Sequence, residues 1–507
     1  MKRFIISLVA LVVCCLPISA QPSKRQLMKK LNYVYNLIDD HYVEDMPLEP
    51  MVEEAIRATL HTLDPHSRYL TKEEMEASNR QLKGKFAGIG ISNFIHNDTL
   101  VVRTTFDGSP AQRAGILPND RIIAIDGKSI IGHSQDSIAM LMAGDVGSPI
   151  ALSIVRGSKR EPITIELRRD SIRIGAVNAF RIDSVGYVTI SSFTKNLVSE
   201  FYQAYTNLGQ VKSLVLDLRN NGGGYLTAAI DLSSLFLTTG DVVVITESRR
   251  RTNTYSAKRD GILKDMPLVV VINENTASAS EIFAGAMQDH DRAIIVGRTS
   301  YGKGLVQKNI EYKDGSGLRI TTARYKTPSG RPIQRPYIKG ESEAYLADST
   351  RYIHPDSIYR DTALMFKTLK LGREVYAGGG ITPDVYIAPE GSSLSDIVGR
   401  SIDSSAVEHS IVDFWDMGTM DSVRMLYPTK YEFRDGYTVA PALWQIIGKR
   451  AGYTYDDIAD HERRFVETYI LSSIAERLYG TEARDYIYIS MIDYMAEQAI
   501  AIAKSKQ

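Results

Sequence analysis

The chain has 507 residues, a length that predicts about three domains. It carries 60 Lys and Arg residues against 60 Asp and Glu residues, so its formal net charge is zero. A chain without a basic field has little with which to attract phosphates, and we therefore exclude nucleic acid as the main partner. The chain has two cysteines, Cys14 and Cys15, and both lie close to the N-terminus.

The N-terminus has the pattern of a secretory signal peptide over residues 1–20. Lys2 and Arg3 precede an apolar run over residues 4–16, which is too short to span a membrane comfortably, and Ala20 precedes a polar start. Cleavage after Ala20 would remove both cysteines and so exclude disulfides, thiol catalysis and zinc–cysteine sites. We expect an exported, periplasmic protein; an uncleaved leader that anchors the chain in the membrane is the alternative.

Four regions follow, each with its own hydrophobic pattern. Apolar residues at helical spacing predict helices over residues 24–83, and short β-rich runs separated by glycines occupy residues 84–170. Strands and helices alternate over residues 171–390, and a Tyr-rich helical extension covers residues 395–507. The sequence therefore predicts a multidomain α/β protein with a helical N-terminal region, a β-domain, an α/β core and a helical C-terminal extension.

The β-rich region contains glycines beside a strand, a pattern suited to holding a peptide terminus. Such glycines let loop amides converge on a carboxylate, and the strand can then pair with an extended peptide. With residues 109–127, the pattern resembles a PDZ domain, although Asn119 stands where that family usually has glycine. The resemblance implies that apolar protein C-termini bind at the loop Gly88, Ile89, Gly90 and Ile91. A small β-domain whose glycines only form turns is the alternative.

Three junctions between a strand and a turn stand out in the α/β region. They are residues 213–224, which end in glycines, residues 268–281, which include Ser278, and residues 293–307, which include Lys303 and Gln307. A helix predicted over residues 280–289 makes a crossover between the second and third strands, which should therefore be parallel. Because parallel strands present their following turns at one sheet edge, the three turns should meet in one crevice.

Ser278 is the candidate nucleophile in this crevice, and a second group must take its proton. His290 has suitable chemistry, but it lies at the far end of the intervening helix, about 15 Å away at 1.5 Å per residue. Lys303 is better placed, since burial would lower the pKa of its amine enough for it to act as a base. Gln307 could orient that amine. An N-cap role for a serine such as Ser280 and a solvated lysine are the alternatives.

Six motifs resemble, in the same order, those of the C-terminal processing peptidases, also called tail-specific proteases, over residues 30–390. They are residues 63–67, the PDZ string, and residues 217–224, 276–281, 302–307 and 380–385. The resemblance implies a crotonase/ClpP-like α/β core and a serine endopeptidase that needs no metal or other cofactor. It also implies that the PDZ domain captures the C-terminal tails of protein substrates.

The resemblance carries specific roles onto this sequence. The implied catalytic residues are the nucleophile Ser278, the general base Lys303 and its orienting partner Gln307, with oxyanion-hole amides from Gly222, Gly223 and Ala279. His66 is interpreted as a turn or packing residue, because no second histidine except His61 stands near it at a ligand spacing.

Two other functions remain open from the residues alone. One is a non-catalytic PDZ scaffold on a degenerate peptidase fold, and the other is a carrier of apolar ligands on the same fold. The presence of Ser278, Lys303 and Gln307 together favours the peptidase. The family resemblance does not cover residues 395–507, which we expect to pack on the core or, alternatively, to form a homo-oligomer.

Overall fold

The computed structural model describes residues 22–157, 161–173, 175–347, 362–388, 394–403, 405–420 and 422–507. The signal peptide predicted over residues 1–20 lies outside these residues. Among the helices that are described, none is both long enough and apolar enough to cross a membrane.

The N-terminal region contains three helices and one short strand. Their bounds are α1 Lys24–His41, α2 Leu48–His61, β1 Arg68–Leu70 and α3 Lys72–Lys83. Capping residues define two of the helix starts, since the Ser23 Oγ accepts the Gln26 N–H and the Thr71 Oγ1 accepts the Glu74 N–H, each at 3.3 Å. The strand β1 interrupts a region for which the sequence predicted helices alone. It pairs with a strand much later in the chain, near residues 317–319, and local periodicity does not reveal such a pairing.

The PDZ region contains one main sheet, a two-stranded ribbon and two helices. The elements are β2 Lys85–Gly88, β3 Ile91–His96, β4 Thr99–Thr105, α4 Pro110–Arg113, β5 Arg121–Ile125, β6 Lys128–Ser129, α5 Gln135–Met142, β7 Pro149–Val155, β8 Ile163–Arg168 and β9 Asp170–Arg173. The sheet order is β3-β4-β5-β7-β8, with β6 on β5, whereas β2 and β9 pair with each other as a separate ribbon. Asn119 has φ +68°, so it adopts the left-handed turn expected where the family usually has glycine.

The α/β core is built around a second sheet. Its elements, with those of the neighbouring sheets, are β10 Val177–Ile182, β11 Val185–Ile190, α6 Leu197–Asn207, β12 Ser213–Asp217, α7 Leu226–Ser233, β13 Val242–Ser248, β14 Thr252–Ser256, β15 Leu268–Ile272, α8 Ala279–Asp289, β16 Ile294–Gly297, β17 Leu305–Glu311, β18 Gly317–Lys326, α9 Ser342–Ala347, β19 Met365–Lys367, β20 Glu374–Tyr376 and β21 Val385–Tyr386. The main sheet has the order β10-β11-β12-β15-β16-β21 and is parallel except for the β10–β11 pair. The parallel pairing predicted for β15 and β16 is confirmed.

A smaller antiparallel sheet lies beside the main one and carries the residues that follow Lys303. Its order is β1-β18-β13-β14, and β17 also pairs with β18. β1 aligns with β18 so that Arg68 lies opposite Arg319 and Leu70 lies opposite Gly317. Strand β1 therefore attaches the N-terminal region to this sheet.

The C-terminal extension is entirely helical in the part that the structure describes, apart from its connecting turns. Its α-helices are α10 Asp396–Asp403, α11 Ala406–Asp416, α12 Val423–Leu426, α13 Lys430–Gly436, α14 Pro441–Ala451, α15 Asp460–Tyr479, α16 Thr481–Met491 and α17 Tyr494–Ser505. They cover one face of the main sheet, while α6, α7 and α8 cover the other. Along β12, Leu214 and Leu216 join the core beneath α6–α8, whereas Val215 joins the core formed with the extension. Both faces of the sheet are thus buried, as its near-continuous apolar strands require.

The extension also holds the PDZ region, through α11. The contacts are His96 with His409 (Nδ1–Nδ1 2.7 Å), His96 with Asp413 (3.1 Å), Arg103 with Glu408 (3.6 Å), Arg121 with Asp416, and the Asn119 Nδ2 with the Val412 carbonyl oxygen (3.4 Å). One helical unit therefore packs against both the peptidase core and the PDZ sheet.

Candidate active site

Ser278 lies in the turn between β15 and α8, at the carboxyl edge of the main sheet. Its backbone has φ 59° and ψ −115°, a conformation that costs roughly 1–3 kcal/mol for a residue with a side chain. Such strain persists only where neighbouring groups enforce it, and it is common at nucleophile turns. The side chain is partly exposed, although every residue of α8 behind it is buried. The serine is therefore accessible on a rigid base.

Glu281 binds the nucleophile turn to the turn that carries Lys303. Its Oε2 accepts the N–H groups of Ser278 (2.7 Å) and Lys303 (2.9 Å), and its Oε1 accepts the Gly302 N–H and the Ser300 hydroxyl, both at 2.6 Å. All four donors are neutral, and burial raises the pKa of the carboxyl group above its ordinary value. This carboxylate fixes the separation of the two turns.

Tyr325 joins the same two turns from β18. Its buried hydroxyl donates toward the carbonyl oxygens of Ser278, at 2.9 Å, and of Lys303. Burial raises the pKa of Tyr325 well above its ordinary value, so the hydroxyl keeps its proton. Glu281 and Tyr325 together satisfy main-chain donors and acceptors on both turns.

Lys303 has an environment that favours the neutral amine. Burial, followed by the positive charge of Arg319, lowers its pKa from 10.5 to about 8, while the Glu281 carboxylate opposes the shift. Among the residues described, none forms a hydrogen bond or ion pair with its Nζ. At pH values near 8 a substantial fraction of this amine is therefore unprotonated and has a lone pair available.

Gln307 does not form the predicted hydrogen bond with Lys303 in this structure. Its Nε2 instead donates to the carbonyl oxygen of His66 at 2.8 Å. No donor among the described residues binds its Oε1. The pairing register of β17 with β18 shifts between Val306 and Gln307, and an irregularity of this kind commonly redirects a side chain near an active site.

The glycine turn approaches Ser278 closely. A Cβ on Gly223 would lie 2.8 Å from the Ser278 Cβ and 2.8 Å from the Ala279 amide nitrogen, and its φ is +97°, so only glycine fits. The Gly223 N–H is already donated to the Asn221 Oδ1 at 2.9 Å. The N–H groups of Ala279 and Gly222 have no acceptor within the described parts of the chain.

The remaining predicted residues occupy distinct places. His290 follows the last turn of α8, where its Nε2 contacts the Val242 carbonyl oxygen at 2.7 Å. Ser280 is not an N-cap, because it lies inside the first turn of α8 and its hydroxyl donates to the Asn221 carbonyl oxygen. In the residues that the structure describes, no group of three or more His, Cys, Asp or Glu side chains could hold a metal ion.

His66 borders the site as a neutral side chain. Burial, followed by the charge of Lys303, lowers its pKa to about 4. Its Nε2 lies 3.3 Å from the Tyr345 hydroxyl, and its ring packs edge-on against that tyrosine and tilted against Tyr301. These contacts agree with the packing role expected from the sequence, and its carbonyl oxygen has the additional role of holding Gln307.

The loop Gly88, Ile89, Gly90 and Ile91 lines a groove of about 1060 Å³ between the PDZ region and the core. Residues of helix α5 and Ser191, Ser192 and Thr194 of the core also line this groove. The N–H groups of Ile89 and Gly90 have no acceptor in the part of the chain described. Strand β3 beside them is an edge strand, because its only sheet partner among the described strands is β4.

Sequence reasoning missed the groups that hold the turns in place. Glu281, Asn221 and Tyr325 each bind main-chain atoms of the catalytic turns, yet they were given no role. The spacing of Ser278 and Glu281 was a usable signal, since Ser-x-x-Glu before an apolar run is a capping-box pattern. Its Glu281 half is present, because the carboxylate accepts the Ser278 N–H.

Comparison with known proteins places these features in one family. Three family models match the chain: Peptidase family S41 over residues 184–343, PDZ domain over residues 102–156, and Activating protease CtpB N-terminal domain over residues 18–74. Among solved structures, a photosystem II D1 C-terminal processing protease is 29% identical and covers 71% of this chain and 87% of that one, with a TM-score of 0.38. The PDZ domain of a Vibrio cholerae carboxy-terminal protease, solved in complex with peptide, is 27% identical over 18% of this chain and 99% of that one, with a TM-score of 0.17.

Two curated relatives agree with the family models. A Staphylococcus haemolyticus protein named "Probable CtpA-like serine protease" is 34% identical over 360 residues, which is 69% of this chain and 72% of that protein. A Bartonella bacilliformis carboxy-terminal-processing protease is 37% identical over 310 residues, 59% of this chain and 71% of that one. The chain belongs to the C-terminal processing serine proteases of peptidase family S41 and carries that family's PDZ domain.

Proposed function

We propose that this protein is an exported serine endopeptidase that cleaves proteins near their C-terminal tails with a Ser278–Lys303 dyad. The observation that carries the proposal is the Glu281 carboxylate, which binds the backbones of both residues and so holds the two turns side by side. The low pKa of Lys303, about 8, supports its assignment as the base. A non-catalytic scaffold would have no need of either feature.

The proposed reaction begins with proton transfer from the Ser278 hydroxyl to the neutral Lys303 amine. The serine oxygen then attacks the peptide carbonyl carbon, and the carbonyl π electrons move onto oxygen. The resulting ammonium gives its proton to the leaving amine as the C–N bond breaks. Water then attacks the acyl carbonyl carbon while Lys303 accepts a proton from it. The bond from that carbon to the Ser278 oxygen breaks as Lys303 returns the proton to the serine oxygen.

The oxyanion needs donors that are not already occupied. The Ala279 N–H at the start of α8 meets that need, and the helix dipole adds a favourable partial charge there. Of the two predicted glycine donors, Gly222 is the better candidate because the Gly223 N–H is donated to Asn221. Gly223 would instead serve by its small size, which lets the glycine turn approach Ser278.

The PDZ groove is proposed to bind the C-terminus of the substrate. The amides of Ile89 and Gly90 suit a terminal carboxylate, and the free edge of β3 suits an extended backbone. Ile138 and Met142 of α5 make one wall apolar, which favours apolar last residues. One residue of the groove's lining, Ser192, also contacts the glycine turn, since its hydroxyl donates to the Gly223 carbonyl oxygen at 3.1 Å.

The catalytic proposal is tested with the full chain and an unfolded protein that ends in apolar residues. Ser278→Ala and Lys303→Ala should each abolish cleavage, while circular dichroism and melting temperature stay close to wild type. The wild-type kcat/KM should rise with pH through a midpoint of about 8, because the amine must lose its proton. Retained cleavage in either variant, or loss of activity on adding a chelator, would contradict the dyad.

The binding proposal is tested separately with the Ser278→Ala protein. A peptide with apolar last residues and a free carboxylate should bind, and the same peptide with an amidated terminus should bind at least tenfold more weakly. Equal affinity for the two peptides would contradict carboxylate recognition. Cell fractionation tests export: the chain should appear in the periplasmic fraction with its N-terminus at Gln21, and an intact Met1 would contradict cleavage of the leader.

A further inference from the structure

The turn over residues 64–67 belongs to the N-terminal region, but it lies beside β17, the strand that follows Lys303. We propose that Asp64 is a positioning residue for the peptidase reaction, acting on Lys303 through Gln307. This inference rests on the proposed Ser278–Lys303 mechanism and adds a residue from outside the peptidase core.

Asp64 organises its own turn first. Its Oδ1 accepts the N–H groups of His66 and Ser67, each at 3.0 Å, and its Oδ2 accepts the Ser67 hydroxyl at 2.6 Å. Both Asp64 and Ser67 are buried. A buried carboxylate with these bonds gives the turn one conformation, which fixes the direction of the His66 carbonyl.

The same turn is bound to β18 at one position. The Thr321 hydroxyl donates to the Asp64 Oδ1 at 3.1 Å, and the Thr321 N–H donates to the Ser67 Oγ at 3.1 Å. Thr321 is the cross-strand partner of Gln307 in the β17–β18 pair. The turn therefore contacts both members of that pair, Thr321 through Asp64 and Ser67, and Gln307 through His66.

The contact with Gln307 determines which way its amide faces. Its Nε2 is committed to the His66 carbonyl oxygen at 2.8 Å, so the Oε1 points away from that carbonyl and is left as an acceptor. In the inferred arrangement a Lys303 N–H donates to this acceptor during the reaction, a bond that the structure itself does not show. Without the turn, the amide would be free to rotate, and a base held by it would lose its alignment with Ser278.

Asp64 also contributes charge to the site. The charged groups that act on Lys303 come from four elements: Glu281 on α8, Arg319 on β18, Arg68 on β1, and Asp64 in the turn. The two carboxylates raise the pKa of Lys303 and the two arginines lower it. Removing the Asp64 charge should therefore move the acid limb of kcat/KM to lower pH, an effect that loss of stability alone does not produce.

The test is a double-mutant cycle on the full chain, with a quenched-fluorescence peptide whose last three residues are apolar. Asp64→Ala should lower kcat at least tenfold and leave KM within twofold of wild type. Asp64→Asn keeps the turn but not the charge, so it should restore part of kcat, and the pH midpoint of its kcat/KM should lie below the wild-type value. Gln307→Leu should lower kcat, and adding Asp64→Ala to it should lower kcat by less than a further twofold. Tyr69→Phe, which removes a hydrogen bond to Glu53 from the neighbouring strand, is the matched control and should leave kcat and the midpoint unchanged.

The outcomes separate this inference from the proposed function. The positioning role would be overturned if the effects of Asp64→Ala and Gln307→Leu on kcat multiplied fully in the double variant. It would also be overturned if Asp64→Ala kept the wild-type kcat and the wild-type pH midpoint. Either result would count against the role even where Ser278→Ala and Lys303→Ala are inactive. If Asp64→Ala does not fold, Thr321→Val removes one donor to Asp64 while keeping a branched side chain. It should lower kcat at least threefold and show the same non-additivity with Gln307→Leu; wild-type kcat in Thr321→Val would overturn the role.

Discussion

Two buried glutamates are held by partners of different charge. Glu281 lies in the catalytic crevice, and Glu408 lies at the interface between the PDZ region and the C-terminal extension. Glu281 accepts four hydrogen bonds from neutral donors, and burial raises its pKa. Glu408 lies between Arg477, at 2.8 Å, and Arg103, at 3.6 Å. Although burial opposes it, the two arginines lower the pKa of Glu408 to about 2.

The difference follows from what each carboxylate must hold. Four neutral donors, three main-chain N–H groups and the Ser300 hydroxyl, hold Glu281 in the crevice and fix geometry without adding charge beside Lys303. The interface joins three separate elements, β4, α11 and α15, through long side chains whose charges must be matched. Neutral hydrogen bonds determine position in the crevice, whereas ion pairs determine attachment at the interface.

Breaking the interface pair should have the largest effect on stability. Glu408→Gln leaves the fully buried Arg477 guanidinium without a counter-charge, and we expect a loss of about 3 kcal/mol in the free energy of unfolding at pH 7. Because the folded pKa is depressed, this stabilisation is present above about pH 4.5 and is lost as the pH falls through about 2. Urea denaturation of wild type and variant from pH 7 downward measures it. A difference that stays constant below pH 4 would contradict the assignment.

Replacing the Glu281 carboxylate should lower stability less than Glu408→Gln does, but it should lower activity more. Glu281→Gln replaces one acceptor oxygen with an NH₂ group that faces two donors, and we expect a loss of about 2 kcal/mol in unfolding free energy. Movement of the two turns should lower kcat about 100-fold, because misplacement of about 1 Å costs that much. Stopped-flow or fluorogenic assays per folded molecule measure kcat. In Glu408→Gln, by contrast, kcat per folded molecule should stay within threefold of wild type; equal losses of kcat in the two variants would remove the distinction.

Regular local patterns determine which parts of the catalytic site could be predicted from sequence. The turns containing Gly223, Ser278 and Lys303 follow apolar strands at regular spacing, and the handedness of crossovers then places them at one edge. The partner of Gln307 could not be found in that way, because His66 lies 241 positions earlier in the chain and its contact is a backbone carbonyl. No local pattern encodes such a contact.

The packing of the extension shows a second limit of sequence reasoning. The apolar stripes in residues 395–507 indicate helices with buried faces, but they do not say which surface covers them. The structure uses them against Val215 and its neighbours on the main sheet. Ending the chain near Gly391 would therefore expose a whole sheet face, so that truncation would test folding. The predicted role of the extension in oligomerisation is better tested by sedimentation of the full chain.

The histidine pair His96 and His409 should make the interface between the PDZ region and the extension sensitive to pH. The 2.7 Å contact between the His96 and His409 Nδ1 atoms has room for one proton, so charging both rings breaks it. The charged groups around the pair are Asp413, Arg121, Arg450 and Glu408, and burial is the largest cause that lowers the pKa of each histidine. Since the folded pKa values are depressed, stability should fall as the pH drops below about 6.5.

His409→Gln tests this dependence, with His133→Gln as the control at an exposed histidine of the same PDZ region. Between pH 7 and pH 5.5, wild type and His133→Gln should each lose about 1 kcal/mol more unfolding free energy than His409→Gln does. Hydrogen exchange in α11 should rise over the same range in wild type and in His133→Gln, where the pair is intact, but not in His409→Gln. Parallel pH dependence in all three proteins would show that the pair does not titrate.

The smallest effect is expected at the rim of the same interface, where Arg121 pairs with Asp416. Both side chains keep about a quarter of their surface exposed, 23% and 28%, so water screens the pair. In addition, the Asn119 Nδ2 donates to the Asp416 Oδ1 at 3.2 Å, and that bond survives an amide at position 416. We expect a coupling energy of less than about 1 kcal/mol between Arg121→Gln and Asp416→Asn, falling further in high salt. A coupling above about 2 kcal/mol, approaching the loss expected at Glu408, would mean that attachment of the PDZ region depends on its exposed rim as much as on its buried ion pair.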